Sequence, residues 1–396
     1  MSEHFLARSP HALIHRIAVS ISAGESCMKN STFETGHLGT ALFYYYYAAY
    51  SDRPSYINRA NDIVERSLGS FTVGDFEKVY GTDSLDNHLS NIGRFIEFAN
   101  SGKFIAIDPN SYLTNFDEIL FQLMKTKMEV HDLDINSGAL ASGYYFLSRL
   151  KSSKACREPL EYLIGMLPKI AHVDIDGDFY WESPSLYGRI YFGLSHGSAM
   201  VISFLCSLAE HGIAVPECHA IIKRSVAFVL KHQRSQDKGL FPIQLGDVVE
   251  SKQFSMCYGD IGVGFALLRA AITTGDEILE GRAMDILLDC AKRTRQDGLT
   301  LDASITYGAS GLAATFARLN QILAHPDFSL AEKYWYNQIP HYAYHNNEFA
   351  GFKTRLLSTE PIWNICFGWG IIGIGISLIN SRNRALPEIS SLLLIA

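Results

Sequence analysis

The sequence lacks an excess of basic residues. Its 396 residues include 34 Lys and Arg against 41 Asp and Glu, which gives a formal net charge of −7. Proteins that bind the phosphate backbone of nucleic acids carry a surplus of basic side chains. Nucleic acid is therefore not an expected partner, and the composition, 47% hydrophobic and 19% charged, is typical of a globular protein.

Long apolar runs and paired cysteines are also missing. The apolar run 371–379 is interrupted by glycines and is too short to cross a bilayer, and residues 1–19 lack the apolar core and cleavage site of a signal peptide. The seven cysteines are scattered, with no C-x-x-C pair. This pattern favours reduced thiols over a disulfide framework, and we expect a cytoplasmic protein without a transmembrane segment.

A small-residue motif, often Gly-x-x-Gly followed by apolar residues, organises the chain. Seven copies lie 49 to 62 residues apart, and they begin at Gly36, Asn87, Gly138, Gly197, Gly259, Gly308 and Gly370. Each interval has room for two helices, and intervening segments such as 219–233 and 278–294 are amphipathic at helical spacing. The motif segments are apolar all round, as buried helices are.

These repeats predict an all-α fold. We expect one domain over residues 1–396, an α/α toroid (barrel) of about seven helical hairpins, with an inner ring of Gly-rich helices and an outer ring of amphipathic helices. If the ring closes, the residues just before each motif glycine share one mouth, where helix N-termini favour anions and thiolates. Asp134, His196 and Cys257 take such positions. Each also has a structural interpretation, namely a helix cap, a hydrogen-bonded buried histidine and a plain buried cysteine.

Three segments resemble the lanthionine synthetase C-like (LanC) family. "MCYGDIGVG" at 256–264 is similar to the family's W-C-Y-G-x-P-G, "GLSHGSAM" at 193–200 to A-H-G-x-x-G, and "LDINSG" at 133–138 to the segment with a family aspartate. Members of the family are helical toroids that add cysteine thiols to dehydroalanine or dehydrobutyrine. The resemblance implies that Cys257 is a zinc ligand with Tyr258 beside it, that His196 is an acid/base and that Asp134 is its catalytic companion.

The chain departs from the family at its metal ligands. Thr306 and Tyr307 stand where the family's Cys-His pair supplies two zinc ligands, and Gln253 and Met256 replace an arginine and a tryptophan. A catalytic zinc site normally uses three protein ligands, which Cys257 alone cannot provide. We therefore expect no cofactor, with Cys257 a residual metal-ligand position, and we consider Cys366 as a replacement ligand.

Two functions remain open. The first is a zinc-independent peptide cyclase that forms thioether, lanthionine-type rings by Michael addition in a ribosomally made precursor peptide, with His196, Asp134 and Tyr258 as catalytic residues and a separate dehydratase or kinase/lyase enzyme as partner. The second is a non-catalytic LanC-like toroid that binds a precursor peptide or a partner modification enzyme. Of two tyrosine-rich segments, 43–50 is expected in the core, and 333–349 either on an outer helix or in a peptide-contact loop.

Overall fold

The computed structural model describes residues 9–69, 76, 78–79, 83–235, 239–247, 252–355 and 360–395. Of the N-terminal segment 1–19, residues 1–8 lie outside the described residues. Within the described ranges the chain is almost entirely helical, which confirms the predicted all-α class. None of the helices in these ranges is both long and apolar enough to span a membrane.

Fifteen α-helices fall within the described ranges: α1 Pro10–Gly24, α2 His37–Ser51, α3 Ser55–Gly69, α4 Leu85–Ser101, α5 Pro109–Glu129, α6 Ala139–Arg149, α7 Arg157–Ile170, α8 Ser198–Glu210, α9 Val215–Lys231, α10 Asp260–Thr274, α11 Glu277–Ala291, α12 Ala309–Leu323, α13 Pro326–Gln338, α14 Pro361–Ile365 and α15 Ile371–Asn380. The described strands are β1 His172–Val173 and β2 Phe179–Tyr180, which pair antiparallel in a short hairpin.

The chain divides into two compact units. Unit 1 comprises Met1–Val79, Phe98–Ala106 and Thr294–Ser391, and unit 2 comprises Tyr80–Glu97, Ile107–Arg293 and Leu392–Ala396. Within unit 1, α2 packs on α3 and α12 on α13, and within unit 2, α8 packs on α9 and α10 on α11. These are the helical hairpins that the repeat predicts, and the amphipathic segments 219–233 and 278–294 fall mainly in α9 and α11.

The motif glycines mark the starts of buried helices. Six of the seven motif positions immediately precede a helix, and most residues of those helices are buried. Glycine is needed at these positions because the chain folds back on itself: a Cβ on Gly138 would lie 2.2 Å from the backbone nitrogen of Asp134. Gly259 also has a φ of +100°, which favours glycine. The second motif differs, since Asn87 lies inside α4 rather than before it.

The two tyrosine-rich segments have different structures. Phe43 to Ala48 of α2 are buried, as expected for a core segment, whereas Ala49 is exposed and Tyr50 is half-buried. The segment 333–349 begins as the end of α13 and continues from Ala343 as a loop. That loop and α1, both in unit 1, line an open groove of about 710 Å³. The segment 333–349 is thus partly helix and partly loop, and peptide contact by the loop stays a prediction.

Candidate active site

Two of the predicted site residues form a buried pair in unit 2. Nδ1 of His196 lies 2.5 Å from Oδ2 of Asp134, although the two residues are 62 positions apart in the sequence. The Asp134 side chain is 2% exposed and that of His196 is 10% exposed. Asp134 lies in the loop before α6, and His196 directly precedes Gly197 at the start of α8. The motif repeat thus brings a carboxylate and an imidazole into contact.

The Asp134 carboxylate makes two kinds of interaction at once. Its Oδ1 accepts hydrogen bonds from the backbone nitrogens of Asn136 at 2.8 Å and Ser137 at 3.2 Å, just before Gly138. Its Oδ2 is thereby left to face His196. Asp134 does not cap α6 itself, since the N-cap residue is Gly138 and no side chain caps it. Its Oδ1 instead caps the turn 134–137 that leads into the helix, while Oδ2 is the partner of the histidine.

The other repeats show which part of this arrangement is general. Thr32, Ser255 and Ser304 each stand four positions before a motif glycine, and each hydroxyl accepts a hydrogen bond from the backbone nitrogen three residues later, at 3.1, 3.1 and 3.2 Å. A hydroxyl has a single oxygen, and in these repeats that oxygen makes the cap. An aspartate at the same position supplies the cap and a second, negatively charged oxygen.

The His196 ring is held on several sides. Its centroid lies 5.9 Å from that of Tyr191 and 6.0 Å from that of Tyr258, and its backbone oxygen accepts a hydrogen bond from Oγ of Ser183 at 3.0 Å. Because Nδ1 faces a carboxylate, the neutral ring is assigned the tautomer with the proton on Nδ1. Among the described residues Nε2 has no hydrogen-bond partner, so it is the ring nitrogen that remains available to accept a proton.

Cys257 and Tyr258 lie against the segment that leads to His196. The backbone nitrogen of Leu194 donates to the oxygen of Cys257 at 3.1 Å, and a Cβ on Gly193 would lie 2.2 Å from that same oxygen. The Cys257 side chain is buried, while Tyr258 is half-buried. Unit 2 therefore contains all four predicted site residues, Asp134, His196, Cys257 and Tyr258. The segment with Cys257 and Tyr258 contacts the backbone of the segment before His196, and the loop that carries Asp134 contacts the His196 side chain.

A buried ion pair that the sequence analysis missed fixes the start of α10. Asp260 is completely buried; its carboxylate accepts from the backbone nitrogens of Gly239 at 2.9 Å and Phe241 at 3.0 Å and lies 2.6 Å from the guanidinium of Arg293. These contacts hold the helix that follows Cys257 and Tyr258. The available signal was a charged residue in the otherwise apolar segment "GDIGVG".

The residues at the family's metal positions do not fit a zinc site. Within the described part of unit 2, the only group of three metal-capable side chains is Asp174, Asp176 and Asp178 in the β1–β2 turn, where each carboxylate is paired with Lys231, and Cys257 is not in it. In unit 1 the Thr306 hydroxyl donates to the backbone oxygen of Gly368 at 2.8 Å.

Cys366, considered above as a replacement ligand, is a buried thiol in unit 1, and its role as a ligand stays a prediction. Its side chain is 1% exposed, its Sγ lies 3.9 Å from the backbone oxygen of Trp363, and burial raises the pKa of the thiol to about 12. Zinc binds the thiolate form of cysteine, which such an environment disfavours. The seven cysteines, all among the described residues, form no disulfide.

Comparison with known proteins places this geometry in context. The family model described as lanthionine synthetase C-like protein matches residues 28–394. Among solved structures, nisin cyclase has a TM-score of 0.74 at 16% sequence identity, with 95% of this chain and 96% of that chain covered, which shows that the two share a fold. A cellobiose 2-epimerase from Bacillus thermoamylovorans has a TM-score of 0.47 at 13% identity, covering 75% and 87% of the two chains. No curated protein sequence is similar enough to count as a relative.

Proposed function

The chain belongs to the lanthionine synthetase C-like family, and from this premise we propose that it closes thioether rings in a ribosomally made precursor peptide without bound zinc. A cysteine thiol of the peptide adds to a dehydroalanine or dehydrobutyrine that a separate dehydratase has produced. The observation that carries the proposal is the buried Asp134–His196 pair, which is arranged for proton transfer. Reduced cysteines throughout the chain agree with a cytoplasmic reaction.

The proposed reaction cycles one proton through His196. Nε2 of the neutral ring takes the proton from the peptide thiol, and the sulfur electron pair forms a bond to Cβ of the dehydroamino acid. The electrons of the C=C bond move onto the carbonyl as an enolate. The imidazolium, stabilised by the Asp134 carboxylate, then returns the proton to Cα. No proton is gained or lost overall, so the addition requires no co-reactant.

A zinc ion is not required on energetic grounds. An unperturbed cysteine has a pKa of ~8.5, so its ionisation at neutral pH costs about 2 kcal/mol, and a positioned general base offsets a cost of that size. Orientation of the thiol is the larger demand, because a metal would fix the sulfur in place. In this proposal the contacts of the bound peptide fix it instead.

Tyr258 and Cys257 receive separate roles. The Tyr258 ring lies beside His196 and is half-buried, and we assign its phenol the hydrogen bond that the enolate oxygen accepts during the addition. Cys257 contributes through its backbone oxygen, which holds the segment before His196, and not as a metal ligand.

The test compares ring closure in a dehydrated model peptide with enzyme, with His196→Asn and with no protein. Thiol addition to dehydroalanine also proceeds slowly unaided, so rate and stereochemistry are both measured. The wild-type chain is expected to accelerate closure and to fix the product configuration, and His196→Asn is expected to lose about 10²-fold to 10⁴-fold of the rate with its helical circular dichroism unchanged.

The alternative function is a non-catalytic member of the family that binds a precursor peptide or a partner enzyme. Its supporting observation is that Thr306 and Tyr307 replace the two further zinc ligands, and that the Thr306 hydroxyl is committed to a backbone oxygen. If wild type and His196→Asn both bind the peptide, yet both give the rate and product mixture of buffer, this alternative replaces the cyclase.

A further inference from the structure

Asp132, two residues before Asp134, braces the loop that carries the catalytic carboxylate. It is 5% exposed, and its Oδ1 accepts a hydrogen bond from the backbone nitrogen of Asp134 at 3.0 Å. Its backbone oxygen accepts from the nitrogen of Ala139, in the first turn of α6, at 2.8 Å. Asp132 therefore ties the start of the loop to its end, with Asp134 between them.

The same brace occurs in repeats that have no histidine pair. In the first repeat, Oδ1 of Asn30 accepts from the backbone nitrogen of Thr32 at 3.1 Å. In the sixth, Oδ1 of Asp302 accepts from that of Ser304 at 3.0 Å. An amide oxygen and a carboxylate oxygen thus make the same turn, and the negative charge of Asp132 is not what shapes it.

A second contact joins Asp132 to the segment that leads to His196. Oγ of Ser185 donates to Oδ1 of Asp132 at 3.3 Å, across 53 residues of sequence. Two residues earlier, Oγ of Ser183 donates to the backbone oxygen of His196. The turn that carries both serines is closed by hydrogen bonds between Ser183 and Arg189 at 2.9 Å and between Ser183 and Gly188 at 3.0 Å. The turn 183–189 therefore contacts both Asp132, which braces the Asp134 loop, and the backbone of His196.

We propose that Asp132, held by Ser185, is the positioning residue that aims Oδ2 of Asp134 at Nδ1 of His196. The effect of Asp132 on the rate of ring closure rests on the proposed cyclase function, whereas its effect on the His196–Asp134 hydrogen bond does not. The charged groups that act on Asp132 are the neighbouring Asp134 and the ammonium of Lys127. Because Oδ1 of Asp132 acts as a hydrogen-bond acceptor, an amide at position 132 should preserve the position of Asp134 and a methyl group should not.

The test measures the His196–Asp134 hydrogen bond directly, without a substrate. In protein labelled with ¹⁵N-histidine, the Nδ1–H proton of His196 is assigned by its loss in His196→Asn. Asp132→Ala is expected to broaden or abolish this resonance, and Asp132→Asn to retain it, as Asn30 retains the turn in the first repeat. Asp302→Ala removes the matched brace in unit 1 and is expected to leave the resonance unchanged.

Ring closure in the same variants supplies the catalytic readout. Asp132→Ala is expected to lower kcat by about 10-fold to 100-fold with KM changed less than ~2-fold, while Asp132→Asn stays within ~3-fold of wild type, because misorientation acts on the chemical step. A resonance that persists in Asp132→Ala would overturn the proposal. The proposal would also fail if Asp132→Asn lowered kcat as much as Asp132→Ala, because that would show a requirement for charge. It would fail as well if Asp302→Ala had the same effect on the resonance as Asp132→Ala, because that would show a general loss of packing.

A further variant guards against misfolding. If Asp132→Ala does not give a folded chain by circular dichroism, Ser185→Ala removes only the hydroxyl that holds Asp132, and Ser185 is exposed. It is expected to broaden the His196 resonance, and an unchanged resonance would contradict the proposal. If the resonance responds as expected but wild type does not accelerate ring closure, the cyclase function fails and the positioning role of Asp132 stands.

Discussion

Asp134 and His196 are joined by one carboxylate oxygen, while the other oxygen of the same carboxylate caps the loop that leads into α6. The cap recurs in three other repeats with serine or threonine, so it explains why a polar residue stands at position 134 but not why that residue is aspartate. The second oxygen is the part that the histidine uses. Structural and catalytic contributions of Asp134 can therefore be separated by a single substitution.

Asp134→Ser is expected to keep the fold and to lose the activity. The serine hydroxyl reproduces the turn hydrogen bond that Ser304 accepts, so the free energy of unfolding should fall by less than about 1 kcal/mol. The ring of His196 loses its partner, and ring closure should slow by about 10²-fold or more. Chemical denaturation and single-turnover kinetics measure the two effects. Ser304→Ala is the matched control, with a cap lost and the rate retained; a fully active Asp134→Ser would remove Asp134 from the mechanism.

Asp132→Asn is expected to stabilise the protein by an amount that grows with pH. Burial, followed by the charge of Asp134, raises the pKa of the Asp132 carboxyl above its usual value. The folded state thus holds this proton more tightly than the unfolded state, and the stability that the protonated form contributes is lost as pH rises through the folded-state pKa. Asparagine does not ionise, so it loses no stability as pH rises. Urea unfolding of both proteins from pH ~4 to pH ~8 should show that the difference between their free energies of unfolding widens. A difference that does not change with pH would contradict the raised pKa of Asp132.

Purified protein is expected to contain well under one zinc ion per chain. Thr306 and Tyr307 offer no thiolate or imidazole, and the thiol of Cys366 is held protonated by burial. Elemental analysis after dialysis against a weak chelator tests this. Cys257→Ala should leave the metal content unchanged and cost about 1 kcal/mol of stability, as loss of a small buried side chain does. Stoichiometric zinc that disappears in Cys257→Ala would show that other ligands complete the site.

The sequence predicted the features that follow from the repeat. Motif glycines recur because the chain must fold back closely before each buried helix, and this steric requirement is visible as a spacing. Asp134 stands four residues before Gly138 and His196 one residue before Gly197, so both lie in the short segments that lead into buried helices, which is why their proximity could be expected. The second repeat was placed less well, because Asn87 has no glycine to mark the helix start and α4 begins earlier.

The supporting contacts could not be predicted in the same way. Ser185 meets Asp132, and Arg293 meets Asp260, through a turn and a helix end that carry no periodic pattern. Such pairs depend on side-chain geometry across 53 and 33 residues of sequence, respectively, which neither spacing nor composition encodes. The sequence therefore indicated the Asp134–His196 pair and left open the groups that orient it.

Tyr258→Phe tests whether the phenol beside His196 takes part in the chemistry. Two tyrosine rings flank the imidazole at nearly equal centroid distances, 6.0 Å for Tyr258 and 5.9 Å for Tyr191, but only Tyr258 is half-buried, whereas Tyr191 is 8% exposed. Phenylalanine preserves the ring contact in either position and removes only the hydroxyl.

If the Tyr258 phenol donates to the enolate oxygen, Tyr258→Phe should lower kcat by about 10²-fold with little change in KM, since that hydrogen bond forms only as charge develops. Tyr191→Phe should stay within ~2-fold of wild type, because its hydroxyl is assigned no part in the reaction. Rates are measured on the same dehydrated peptide, with unfolding midpoints as the control for packing. Equal losses in the two variants would mean that removing either hydroxyl disturbs the position of His196, and the enolate would then need a different donor.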